Sequence, residues 1–189
     1  MREEEGGKAM RADARRNYDR LVAAARQVFA REGGGASMDA IAKEARVGVG
    51  TLYRHFPRRI DLVEAVYQSD VDALIVTAEK AQANLEPWEA LVSFLEAFVR
   101  YAQGKRTFIN ELQEAFEKHP ELRVGTRERI DAAVAEILRR AQEAGVARTD
   151  IEGTDLFQLM GSMCTNPALT SQQSARLLPM IVDGLRPPR

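Results

Sequence analysis

The chain has 189 residues, 45% hydrophobic and 29% charged, which is ordinary for a soluble globular protein and enough for a sizeable core in one unit or two small lobes. No apolar run approaches the ~18 residues of a membrane span. The polar start MREEEGGKAMRADARR has no signal-peptide core, and a lone Cys164 cannot form an internal disulfide, so the expected setting is a reducing cytoplasm. Net charge is −1, but residues 1–60 carry 13 Lys+Arg against 8 Asp+Glu (+5), and residues 61–189 carry −6. A basic first third joined to an acidic remainder points to two jobs in one chain, although chance can also produce such an asymmetry.

Apolar spacing of three and four runs through nearly the whole chain with no period-two stretch, so the fold class is all-α with about nine helices. Residues 1–13 read as a frayed polar arm. From about residue 14, Tyr18, Leu21, Val22, Ala25, Val28 and Phe29 mark one helix face, and REGGG (31–35) ends it. Ser37 suits the N-cap of a second helix, with Asp39 in its first turn and a stripe of Met38, Ile41, Ala42 and Ala45. A third, short helix covers about 49–55 and stops before Pro57. A long fourth helix runs from Arg58 or Arg59 to about Ala83. The fifth starts at Pro87 and ends at Gly104, apolar on more than one face and hence central. A sixth carries Phe108, Ile109, Leu112, Ala115 and Phe116. A seventh carries Ile130, Val134, Ile137, Leu138 and Ala141, and ends at Gly145. The eighth spans about 152–164. TNP (165–167) separates it from a ninth, about 171–185, in which Pro179 should produce a kink or a later start.

Three short helices with a tight turn between the second and third read as a helix-turn-helix. Leu52 and Phe56, four apart, anchor the third helix, which leaves Thr51, Tyr53, Arg54 and His55 off the buried stripe. Val49 and Gly50 lie at the N-terminus of that helix, the part that enters a major groove first and whose free N–H groups suit phosphate. Gly48 and Gly50 keep side-chain bulk away, Tyr53 and His55 offer polar tips to phosphate oxygens, and Arg58 and Arg59 add charge.

The stretch SMDAIAKEARVGVGTLYRHFPRRIDLVEAVY (37–67) resembles the DNA-binding signature of the TetR family of bacterial transcriptional regulators. The matching elements are Phe29 with Gly33, Ile41-Ala42 with Ala45-Arg46-Val47, and Gly50 through Phe56. The motif resemblance covers about residues 14–67; the remainder matches in helix count and order. One departure is Arg46, where the family has glycine. A positive φ there costs about 1 kcal/mol, and the side chain either reaches phosphate or points to solvent. The candidate DNA-contacting set is Ser37, Arg46, Gly48, Val49, Gly50, Thr51, Tyr53, Arg54, His55, Arg58 and Arg59.

The resemblance further implies a homodimer on a palindromic double-stranded operator, with residues 14–58 as the DNA-binding domain and 59–186 as a helical regulatory and dimerisation domain. It assigns the dimer interface to helices eight and nine: Leu156, Leu159, Met163, Leu177, Leu178, Ile181 and Leu185, side chains that equally suit an intrachain core. It implies a small-molecule effector bound between helices four and eight, whose binding releases DNA. Candidate pocket residues are Tyr67, Trp88, Phe94, Phe98, Tyr101, Phe108, Leu112, Phe116, Phe157 and Met160, with Arg100 available to an anionic group. Few charges fall on these stripes, so an apolar or weakly polar effector is expected. The family prior favours repression.

The rival readings are an enzyme, or a helical interaction module that has lost DNA binding. There is no metal-ligand spacing, P-loop or Gly-x-Ser-x-Gly, so no cofactor and no metal are expected. His119, before Pro120, reads as a surface or capping residue, and Cys164 as a small buried one.

Overall fold

The computed structural model describes residues 2–166 and 168–188, and their side chains except at 2–12, 164, 165 and 171. The reading of Cys164 therefore lies outside the described side chains, and Pro167 of the TNP break lies outside the described residues. Within them the chain is helical, with no strand: α1 (Arg2–Glu32), α2 (Met38–Ala45), α3 (Val49–His55), α4 (Arg59–Asn84), α5 (Pro87–Lys105), α6 (Ile109–Lys118), α7 (Pro120–Glu143), α8 (Gly153–Thr165) and α9 (Ser171–Gly184). Single 3-10 turns cover Gly33–Gly35 and Arg106–Phe108.

The all-α reading from apolar spacing holds, and most helix bounds fall within a residue or two of those expected. The exception is α1, which begins at Arg2 rather than near residue 14. The expectation of a frayed arm over 1–13 rests on the absence of an apolar stripe there, and that absence does not exclude a helix. At and just after the end of this segment, exposed Arg15 and Asp19 pair at 3.6 Å and Asp13 contacts Arg16, the short-range pairs of a solvated helix face.

Packing divides the chain into two compact units: Met1–Ser69 with Thr107–Lys118, and Asp70–Arg106 with His119–Arg189. These bounds are drawn by contact and differ from the division by role at 58/59.

In the first unit, Leu21, Val28 and Phe29 of α1, Ile41 of α2, Leu52 of α3 and Leu62 of α4 are completely or almost completely buried. Each such side chain contributes about 1.5–3 kcal/mol of apolar burial. α1 ends as glycine permits: Gly33 takes φ +60°, where its missing Cβ removes the steric cost. Although its chain neighbours α5 and α7 belong to the other unit, α6 packs here. The Phe108 ring lies 5.4 Å from Phe29, Phe116 meets Tyr67 edge-on at 5.3 Å, and Leu112 is buried.

In the second unit, α5 is buried on several faces, through Leu91, Phe94, Leu95, Phe98 and Tyr101, as its all-round apolar pattern predicts. α7 contributes the buried stripe of Ile130, Val134, Ile137, Leu138 and Ala141. α7 and α8 approach so closely that a Cβ on Gly153 would stand 2.6 Å from Ala135 Cα. Both later helices start in reciprocal capping boxes, Glu152 with Asp155 for α8 and Thr170 with Gln173 for α9. The Thr170 cap fixes the start of α9 ahead of Pro179, which sits inside the helix and exposed to solvent, so the proline does not delay the start. None of the described helices is long and apolar enough to cross a membrane.

Candidate nucleic-acid interface

The site is assembled from the short α3 upward. Leu52 is completely buried and Phe56 nearly so, and the Phe56 ring stacks 5.1 Å from Tyr18 of α1. With one face pinned, the opposite face stands in solvent: Tyr53 is 47% exposed, Val49 is 38% exposed, and Gly48, Gly50 and Arg54 are exposed. Tyr53 is thus a solvent-facing phenol on a seven-residue helix. Gly48 is the N-cap and no side chain caps α3. A Cβ on Gly50 would meet nothing within 4 Å, so the space around it is open to an approaching partner.

Upstream, Ser37 Oγ accepts the Ala40 N–H at 3.0 Å, so Ser37 is the N-cap of α2. α2 ends at Arg46, whose φ of 55° and ψ of 44° are left-handed. The backbone therefore takes the glycine-like conformation without glycine, at the cost of about 1 kcal/mol anticipated from the sequence. The Arg46 side chain is exposed. Arg20 on α1 was not singled out in the sequence, yet its Nη2 donates to the carbonyls of Ala45 at 2.6 Å and Arg46 at 3.2 Å. Nothing in a sequence marks such a long-range bond to main-chain oxygens.

The other expected contacts separate into two groups. Thr51 is half-buried on α3. His55 is half-buried too, its ring 6.3 Å edge-on to Tyr18, so its position is set by packing as well as by solvent. Arg58 and Arg59 differ from each other. Arg58 is 59% exposed, but its main-chain N–H and guanidinium both bond Asp61, which pushes that guanidinium still higher than usual and already offsets its charge. Arg59 is turned inward. It donates to the carbonyl oxygens of Ala36 and Gly34, pairs with Glu111 at 3.1 Å, and stacks over Phe29 at 5.1 Å. With 29% of its side chain exposed, it works as a brace of the first unit rather than as an outward cation.

The expected pocket set is not brought together in one unit. Tyr67, Phe108, Leu112 and Phe116 pack in the first unit, and Trp88, Phe94, Phe98, Arg100, Tyr101, Phe157 and Met160 belong to the second. Within the second, Phe98 is the hub, with ring centroids 6.4 Å from Phe94, 5.9 Å from Tyr101 and 6.0 Å from Phe157. Met160 is buried, and Trp88 lies under the Arg186 guanidinium at 4.3 Å. Arg100 is exposed and is not the cation of this cluster. That place is taken by Arg127, 5.1 Å over Phe157 and 3.5 Å from Asp131, and by Lys105, 4.4 Å over Tyr101 and 3.2 Å from its Oη. The reason is helical phase: Arg100 precedes Tyr101 by one residue and so faces elsewhere.

α8 and α9 form an open apolar groove of about 460 Å³. Leu156, Leu159, Met163, Leu177, Ile181 and Leu185 line it, together with Ile151 and Met180, with Arg148 and Asp155 among its polar residues. Leu159 is 53% and Met180 68% exposed. Leu178 is half-buried and is not among the lining residues. Among the described residues, no group of His, Cys, Asp and Glu is placed to hold a metal ion. His119 is half-buried at the N-cap of α7, its Nδ1 3.2 Å from Glu121. Glu121 is held below the ordinary carboxylate range, first by its own main-chain N–H and then by His119.

Comparison with known proteins places this geometry. Residues 21–66 match the family model for bacterial regulatory proteins of the tetR family, and residues 86–187 match that for the SbtR-like transcriptional regulator C-terminal domain. The chain belongs to the TetR family. It is 35% identical to a TetR transcriptional regulator of Streptomyces coelicolor whose crystal structure superposes with a TM-score of 0.79, over 91% of this chain and 99% of that one. A TetR transcription regulatory protein of Mycobacterium vanbaalenii is also 35% identical, with a TM-score of 0.73 over 94% and 99%. An HTH-type transcriptional regulator of Staphylococcus aureus (strain USA300) is 37% identical over 94 residues, 47% of this chain and 51% of that protein. The chain thus spans about half the length of the curated relatives it matches. Over nearly its whole length it is thus similar to proteins described as TetR transcriptional regulators.

Proposed function

We propose that this TetR-family regulator binds double-stranded DNA sequence-specifically through α3, as a homodimer on a palindromic operator, and represses transcription until a small molecule releases it. The observation that carries the DNA reading is the exposed face of α3, where Val49, Gly50, Tyr53 and Arg54 stand out from a helix pinned by Leu52 and Phe56. Ser37, Arg46, Gly48, Thr51 and His55 complete the proposed contact set. The bonds of Arg59 to Ala36, Gly34 and Glu111 take it out of the proposed contact set, and Arg58 contributes only if DNA competes with Asp61. The apolar groove of α8 and α9 supports dimerisation, because exposed Leu159 and Met180 are stabilised when a second copy covers them. The ring cluster around Phe98 supports an aromatic-lined effector site for an apolar or weakly polar ligand, and release requires that the ligand bind the two states with different affinity.

The test is selection of bound duplexes from random DNA with the purified full chain at near-physiological salt. A palindrome with half-sites about one helical turn apart is the expected result. Tyr53→Phe should then weaken all duplexes alike, as loss of a phosphate contact does, whereas Val49 or Thr51 variants should shift the preferred sequence. No enrichment, with and without refolding to strip bound ligand, would overturn the reading.

A further inference from the structure

The turn between α2 and α3 contains an unusual arrangement. α2 closes in a Schellman motif: the Arg46 N–H donates to Lys43 O at 3.1 Å and the Val47 N–H to Ala42 O at 3.0 Å. Those two bonds use the carbonyls behind the turn. The two in front, Ala45 O and Arg46 O, belong to the peptide units on either side of the Arg46 Cα, and both accept from one nitrogen, Arg20 Nη2. The rotations of those two peptide units are the φ and ψ of Arg46. One guanidinium nitrogen, 26 residues away on another helix, thus holds both dihedrals of the only non-glycine residue with positive φ among the described residues.

We propose that Arg20 is a positioning residue for DNA recognition: it braces the left-handed turn that an arginine occupies in place of glycine, and so fixes the direction in which α3 leaves α2. α3 starts three residues past Arg46 and its far end is roughly 10 Å along the helix axis. A ten-degree drift at the turn would displace that end by roughly 2 Å, more than a directional hydrogen bond to a base edge tolerates. Leu52 and Phe56 hold the depth of α3 in the core; the turn sets its heading. The inference rests on the DNA-binding reading above.

The experiment is a double-mutant cycle of Arg20→Ala and Arg46→Gly in the full chain, read by fluorescence anisotropy on a duplex selected by the wild type and on a scrambled duplex, across a salt series, with circular dichroism melts of all four proteins. Arg20→Ala is expected to weaken binding to the selected duplex about tenfold, on the scale of one lost base contact. Binding to the scrambled duplex and the salt slope should stay unchanged. On the Arg46→Gly background the same change should cost less than about threefold, because glycine holds the left-handed conformation unaided. Equal losses in both backgrounds would overturn the inference, as would no loss at all. A salt slope smaller by about one would do so too, because it would make Arg20 a direct phosphate contact. Wild-type protein that selects no duplex would instead overturn the DNA reading and carry this inference with it.

Discussion

Gly153→Ala is expected to destabilise the second unit, against the usual trend for a glycine at a helix start. An added Cβ would lie 2.6 Å from Ala135 Cα, 2.9 Å from its Cβ and 3.0 Å from its nitrogen. Carbon atoms rest at about 3.5–4.0 Å, so α7 and α8 must separate by roughly 1 Å along that line. Two of the three obstructing atoms are main chain and cannot swing aside. Overpacking of this kind costs about 1–3 kcal/mol. The helix-propensity gain of alanine, at most about 1 kcal/mol and less in a first turn, does not offset it. For a chain of this size that is a fall in melting temperature of about 2–4 °C per kcal/mol. The control is Gly125→Ala in α7, where a Cβ meets nothing within 4 Å and about 0.5–1 kcal/mol of stabilisation is expected. Urea denaturation followed by circular dichroism measures both. A Gly153→Ala protein as stable as the wild type would refute the close-approach argument.

Arg59→Ala should lower stability by about 1–3 kcal/mol, since Glu111 and two carbonyls lose a charged donor, while Arg54→Ala should leave the melt unchanged and weaken DNA binding. An equal effect of the two on the melt would contradict their assignments. Leu159→Glu should shift the oligomeric state toward monomer in sedimentation velocity, because it puts a charge into the α8–α9 groove; an unaltered dimer would remove that groove from the interface. Asp150 is held below its ordinary value near 3.8, chiefly by its hydrogen bonds from Arg148, which also donates to Gly184 O. A depressed carboxylate stabilises the fold above that ordinary value and loses its contribution as pH falls through the folded value. The protection factor of the Arg148 amide, whose N–H bonds Leu185 O, should therefore fall below about pH 4, and Asp150→Asn should flatten that dependence. An unchanged profile in the variant would count against the link.

Much of the fold was legible because helices announce themselves locally. The stripe of Leu21, Ala25, Val28 and Phe29, the Ser37 cap and the Leu52–Phe56 pair each report on residues within one or two turns. The exposed face of α3 was legible for the same reason: once Leu52 and Phe56 are taken as buried, the outward direction of Tyr53 and Arg54 follows from about 100° per residue. The start of α1 was not, because residues 2–13 carry no apolar stripe from which a helix could be read.

What the sequence by itself determined is the helix order and most of the buried faces, consequences of backbone periodicity and local caps, together with a motif at 37–67 that resembles the TetR DNA-binding signature. Only the tertiary structure decided which stripes meet. It placed Phe108, Leu112 and Phe116 with the first unit and Phe94, Phe98 and Phe157 in the second, although both sets look alike as sequence. It also separated Arg58 from Arg59, and found Arg20 at a turn 25 residues away. The physical reason is that a guanidinium on a long flexible stem chooses among carboxylates, rings and free carbonyls by what folding brings within reach, and that choice is not encoded in its neighbours along the chain.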